Sequence, residues 1–303
     1  MAKTRSTLIA ILLLLVVFGA GTYVSVELLM GRDLPMVPSR GKVGLVPLKG
    51  TLTSADRTVR VLEQYRENES VKALVLEIQS PGGTVGASQS LYREIREFRR
   101  EADRPVVAWI GDVGASGGYY AALAADSIYA LPGSITGSIG VIVQVPNVQG
   151  LADWAGVEVA VVQSGPRKDA GSPFRPLGEE DRAVFQQLVD DAYGQFLDAV
   201  VESRGMERNR ARELADGRIY SGERARELGL VDRTGTLSEA VEAAGRMAGL
   251  DERPPTVRPG EREINVLDLL RGVSVERLRG WIAETVGWLP GAGGTPRLLY
   301  LWR

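Results

Sequence analysis

Short apolar runs alternate with amphipathic stretches along most of the chain. Val43–Val46, Ala73–Ile78, Val106–Ile110 and Ser127–Ala130 are compact runs rich in β-branched residues, which predict buried strands. Between them, Ala55–Glu67 repeats Val59, Leu62 and Tyr65 at helical spacing, and Val85–Arg99 repeats Leu91, Ile95 and Phe98. Ser116–Ala124 reads as a helix of small residues. This strand–helix alternation predicts an α/β fold on a largely parallel sheet. Ile139–Val143 and Val157–Val162 continue the strand pattern. Glu179–Arg204 predicts a long helix with Val184, Leu188, Ala192, Phe196 and Val200 inward, followed by shorter helices at Glu207–Ala215, Gly222–Leu228 and Leu237–Ala248. Prolines and glycines mark breaks at 31–41, 253–260 and 290–296. An amphipathic stretch, Val275–Trp288, and an apolar end, Leu298–Trp302, complete the pattern. The expected organisation is an N-terminal apolar segment (1–30), a linker (31–41), one α/β domain (42–250) and an extension (251–303).

Leu8–Val26 carries no charge and is preceded by Lys3 and Arg5. At about 1.5 Å per residue it approaches the ~30 Å hydrocarbon core of a bilayer. The basic flank lies before it, which predicts a cytoplasmic N-terminus and an extracytoplasmic remainder. A cleaved secretory signal, with Gly19, Ala20 and Gly21 at the processing region, is the other reading, although the run is long for one.

Composition narrows the chemistry. The chain has 303 residues, a net charge of −2, and neither histidine nor cysteine. The balanced charge offers no nucleic-acid surface. The usual zinc, haem and iron–sulfur ligands are missing, no acidic loop has metal-binding spacing, and no cofactor is called for. A Ser-His-Asp triad is impossible. Five of the 36 basic residues are lysine: Lys3, Lys42, Lys49, Lys72 and Lys168. Arginine stays protonated, whereas a buried lysine can lose its proton near neutral pH, so a serine nucleophile here has few candidate bases.

Three segments bear on such a nucleophile. Gly111–Tyr120 (GDVGASGGYY) sets Ser116 between a strand and a helix, where free N–H groups and the helix dipole favour a developing anion. An ordinary N-cap serine would look the same. Ser80-Pro-Gly-Gly83 also joins a strand to a helix, and the N–H of Gly83 could pair with that of Gly117 as an oxyanion hole; a plain turn is the alternative. Ile135–Gly140 supplies Ser138, and Gly165–Phe174 supplies Lys168, a residue type this chain otherwise replaces with arginine. Surface charge is the usual fate of a lone lysine. Asp112, Asp126 and Asp169 are other candidate bases.

Taken in order, Ser80-Pro-Gly-Gly83, Gly114–Tyr120, Thr136–Val141, Lys168–Pro173 and Tyr220–Asp232 resemble signal peptide peptidase A, a family of membrane-bound Ser/Lys peptidases, over about residues 40–250. The resemblance implies a Clp-protease/crotonase-like fold of repeated ββα units behind an N-terminal transmembrane helix. It implies Ser116 as nucleophile, Lys168 as general base and Ser138 as the hydroxyl that orients the lysine, with Gly83 and Gly117 as oxyanion donors. It also implies a membrane-anchored homo-oligomeric ring whose sites combine residues of neighbouring protomers, acting on signal-peptide remnants outside the cytoplasm. Gln79 departs from the family's small polar residue before Ser80. Competing expectations are a stomatin-associated membrane serine protease, an acyl-CoA enzyme of crotonase type, and a non-enzymatic membrane scaffold.

Overall fold

The computed structural model describes residues 41–260 and the short strand 299–301. Its centre is three parallel strands, β1 (Lys42–Lys49), β2 (Val71–Ser80) and β4 (Val106–Ala115), with β2 in the middle. These are nearly continuous apolar runs because both of their faces are covered. Alternation sorts the side chains. Val46, Leu48, Leu74, Leu76, Ile78, Ala108 and Ile110 point to one face. They pack there with Leu62 and Tyr65 of α1 (Asp56–Glu67), Leu91, Ile95 and Phe98 of α2 (Val85–Ala102), and Phe196 and Val200 of α5 (Glu179–Arg204). Val43, Leu45, Ala73, Val75, Val107 and Trp109 point to the other face, where α8 (Leu237–Met247) contributes Ala240, Val241, Ala243 and Ala244.

Beyond β4 the sheet divides. β5 (Ser127–Ala130) pairs with Val107–Ile110, and β6 (Ile135–Gly137) pairs with Val113–Ala115, both in parallel. β7 (Ile219–Ser221) adds antiparallel to β6, β8 (Arg233–Thr234) extends β5, and β9 (Thr256–Val257) extends β1. The fold is therefore a mixed α/β domain with a parallel-dominated sheet, as expected. The stretch β2, β3 (Gly82–Thr84), α2 follows the expected ββα order. Two short helices, α3 (Gly117–Ala122) and α4 (Gln149–Trp154), precede α5, and α6 (Arg208–Leu214) and α7 (Gly222–Glu227) follow it.

Some expectations need correction. Ile139–Val143 and Val157–Val162 are not strands. A β-branched run becomes a strand when another edge accepts its backbone, and none does so here; Val157, Val159, Val161 and Val162 are exposed. The long helix has its predicted limits, but Val184 and Leu188 are solvent-facing while Ala192, Phe196 and Val200 are buried. Its first turns run past the edge of the core. Leu8–Val26 and Val275–Trp288 lie outside the described residues, and among those described no helix is long and apolar enough to cross a membrane.

Candidate active site

Ser116 sits where β4 gives way to α3. Its N–H donates to the Gly137 carbonyl (2.8 Å), extending the β4–β6 ladder by one residue, and its own carbonyl accepts from Tyr120 N–H (2.8 Å) to open the helix. These two constraints force a sharp bend. Ser116 adopts φ 51°, ψ −116°, a conformation L-residues avoid. Strain of this kind persists where the surroundings over-determine it, and it concentrates at functional sites. Ser138 also has a positive φ, 51°. It follows Gly137, the residue whose carbonyl holds Ser116, so the two serines are neighbours across the ladder. Both are buried, and the Ser116 hydroxyl has no hydrogen-bond partner. A buried hydroxyl left unpaired costs about 1–3 kcal/mol, so it asks for an explanation.

The Ser80–Gly83 segment lies alongside. Ser80 pairs with Gly114 in the β2–β4 ladder, and a Cβ at Gly118 would stand 2.7 Å from the Ser80 carbonyl oxygen, so only glycine lets α3 approach this closely. The Ser80 hydroxyl donates to the Gly50 carbonyl (2.6 Å) and accepts from Gly82 N–H (3.1 Å). It thereby pins β3 to the turn after β1. On one side of β3, Gly82 C=O accepts from Leu52 N–H (2.8 Å) and Thr84 N–H donates to Leu52 C=O (2.8 Å). Polar groups alternate along a strand, so the N–H and C=O of Gly83 face the opposite edge. A Cβ at Gly83 would meet the Leu52 carbonyl oxygen at 1.9 Å. Ser116, Gly117, Ser138 and Gly83 therefore belong to one neighbourhood.

Lys168 stands apart. It is exposed in a turned segment, 164–171, and the Ser116 hydroxyl is not bonded to it. The turn is held by Arg175, whose guanidinium bonds the Asp169 carboxylate (2.7 Å), the Asp169 carbonyl (2.9 Å) and the carboxylate of Asp181 at the start of α5. The hydrogen bond from Arg175 holds the Asp181 carboxyl below the usual carboxylate range. Asp181 is 5 % exposed. Nothing in the local pattern flagged Arg175 and Asp181, because their partnership depends on a turn whose shape the sequence does not announce.

The alternative bases have other employment. Asp126 pairs with Arg99 and accepts from Val106 N–H (2.8 Å) at the far end of β4. Asp169 is engaged by Arg175. Asp112 is exposed, and its N–H donates to Gln79 Oε1 (3.1 Å). Gln79, the departure noted above, thus packs over Gly111, where a Cβ would meet its amide nitrogen at 2.0 Å. Tyr119 and Tyr120 anchor α3 from below: Tyr119 donates to the Leu230 carbonyl (2.7 Å), and Tyr120 packs against Tyr92 and Phe196. Burial pushes the Tyr120 phenol up to about 12, which leaves it protonated and no base. Among the described residues no group of His, Cys, Asp or Glu is arranged to hold a metal ion.

Comparison with known proteins agrees with this geometry. Residues 98–251 match peptidase family S49, and residues 42–153 match the NfeD1b N-terminal domain. The chain is 41 % identical over 215 residues to "Putative protease slr0021" of Synechocystis sp., covering 70 % of this chain and 76 % of that protein. It is 32 % identical over 251 residues to the chloroplastic serine protease SPPA of Arabidopsis thaliana, covering 80 % of this chain and 37 % of that protein. To Protease 4 of Haemophilus influenzae it is 30 % identical over 247 residues, covering 76 % of this chain and 40 % of the relative. With its strained serine at the strand–helix junction and these matches, the chain belongs to peptidase family S49 as an SppA-like serine peptidase.

Proposed function

We propose that this protein is a membrane-anchored endopeptidase that degrades cleaved signal peptides and similar apolar peptides with a Ser116/Lys168 dyad shared between neighbouring copies. The observation that carries this reading is the mismatch within one chain. Ser116 has a buried hydroxyl without a partner, and Lys168, the candidate base, is exposed on a segment that also exposes Leu151, Trp154, Val157 and Val162. A second copy packed against that apolar segment would cover it and bring a lysine to the serine. Closed ring assembly by such head-to-tail contacts is ordinary for homo-oligomers.

In this scheme the amine of Lys168, neutral once buried at the interface, takes the proton from Ser116 Oγ. Ser116 attacks the peptide carbonyl, and the N–H groups of Gly83 and Gly117 stabilise the oxyanion. The lysine then gives the proton to the leaving amine and activates water for deacylation. Ser138, next to Ser116 across the ladder, orients the lysine. Leu8–Val26 would anchor the assembly, with the catalytic domain outside the cytoplasm.

The test uses the Ser116→Ala and Lys168→Ala proteins on a fluorogenic apolar peptide, with assembly checked for each. Each alone is expected to be inert. Subunits mixed 1:1 and reassembled should regain about a quarter of wild-type activity, because a site then pairs an intact serine with a neighbour's intact lysine. Activity should also rise toward alkaline pH as the base loses its proton. A mixture that stays inert would place both residues in one chain, and an active Lys168→Ala protein would remove lysine as the base.

A further inference from the structure

Strand β10, Leu299–Leu301, pairs antiparallel with β3 in the register Leu299↔Thr84, Tyr300↔Gly83, Leu301↔Gly82. It occupies the edge of β3 opposite Leu52, and it also lies against α2 and α3, the helix that Ser116 opens. This is the edge onto which the N–H and C=O of Gly83 are directed. In an antiparallel ladder, facing residues exchange both of their hydrogen bonds, so the groups of Gly83 are met by those of Tyr300. The carbonyl set against the Gly83 N–H is then that of Tyr300.

Without β10, β3 would present an unpaired strand edge beside a buried nucleophile. Such an edge captures extended peptides through main-chain bonds, largely irrespective of sequence. On the peptidase reading given above, on which this inference rests, the same edge must receive the substrate backbone. The residues of this chain that fill it, Leu-Tyr-Leu, are apolar and extended, as a substrate remnant would be.

We propose that Leu299–Leu301 is a built-in peptide ligand of the catalytic edge: it adds to β3 as a strand, sets the Tyr300 carbonyl against Gly83, and competes with peptide substrates for the same groups. The enzyme is therefore self-limiting, and turnover requires that β10 leave β3. Because the ligand is tethered, its local concentration is of millimolar order, enough for a short strand of modest affinity to hold the edge.

The full chain is compared with its Tyr300→Pro variant, which lacks the N–H that meets the Gly83 carbonyl, and with a deletion of residues 299–303. On a fluorogenic apolar peptide both variants should show a KM about tenfold lower with kcat unchanged, as expected when a tethered competitor is removed. A synthetic peptide of residues 298–303 should then inhibit both competitively and the full chain weakly. An unchanged KM together with no inhibition by the peptide would overturn the proposal while leaving the peptidase intact. Binding is also read without turnover, by fluorescence anisotropy of the labelled peptide on a protein carrying Ser116→Ala and the 299–303 deletion. Binding there, with no hydrolysis by any variant, would retain the ligand and defeat the peptidase reading. Absence of binding there would overturn the ligand even if no variant turned over.

Discussion

Ser116 should be a site of stored free energy, and two substitutions separate its sources. The hydroxyl is buried without a partner, a penalty of about 1–3 kcal/mol. The backbone at φ 51°, ψ −116° adds a strain of about 1–3 kcal/mol for any residue with a Cβ. Ser116→Ala removes the first and keeps the second, so it should stabilise by about 1 kcal/mol or more. Ser116→Gly removes both. Glycine costs roughly 0.4–1 kcal/mol through its greater freedom in the unfolded chain, and this offsets part of the strain released. Ser116→Gly should therefore be more stable than Ser116→Ala by about 1 kcal/mol, which reverses the usual order of the two residues. For a domain of this size that corresponds to a Tm difference of about 2–4 °C, measurable by calorimetry on matched assemblies. The comparison between alanine and glycine does not depend on whether a neighbouring lysine reaches the hydroxyl, since neither variant has one. A glycine protein that melts below the alanine protein would refute the strain argument. A wild type that melts above both would refute the unpaired hydroxyl as a cost.

Other positions give independent checks. Gly83→Ala drives a methyl group onto the Leu52 carbonyl at 1.9 Å, a backbone atom that cannot rotate away; peptidase activity should fall by about a hundredfold or more even where circular dichroism shows a folded domain. Tyr119→Phe leaves the buried Leu230 carbonyl unpaired and should cost about 1–3 kcal/mol in urea unfolding, with the substrate profile unchanged. Arg175 depresses the Asp181 carboxyl, so the pair contributes stability above the ordinary carboxylate value near 4 and loses it as pH falls through the lower folded value. Tm of the wild type should thus fall between about pH 4 and 2 more steeply than that of Asp181→Asn, whose side chain does not titrate, and equal slopes would show that the pair adds nothing.

Local pattern accounts for much of the molecule. β1, β2, β4 and β5 stand where compact apolar runs stand, because a strand covered on both faces must be apolar at every position. The helices at 56–67, 85–102 and 179–204 follow the 3.6-residue period. Ser116 between a strand and an Ala/Gly-rich helix, and two glycines after Ser80, were visible because tight junctions demand small residues at fixed places. Lysine scarcity and the absence of histidine limited the chemistry before any geometry was known. Tertiary structure decided the rest. Val157–Val162 has a strand's composition without a strand's partner, and Val184 and Leu188 have a core's spacing where the core has ended. Both facts turn on what lies across from a residue, which periodicity along one chain cannot encode. The same holds for Arg175, which joins Asp169 to Asp181, and for the positive φ at Ser116 and Ser138, imposed by bonds to Gly137 and Arg218. It holds most of all for Leu299–Leu301: its sequence marks an apolar peptide, and only the pairing with Gly82–Thr84 says which edge it covers.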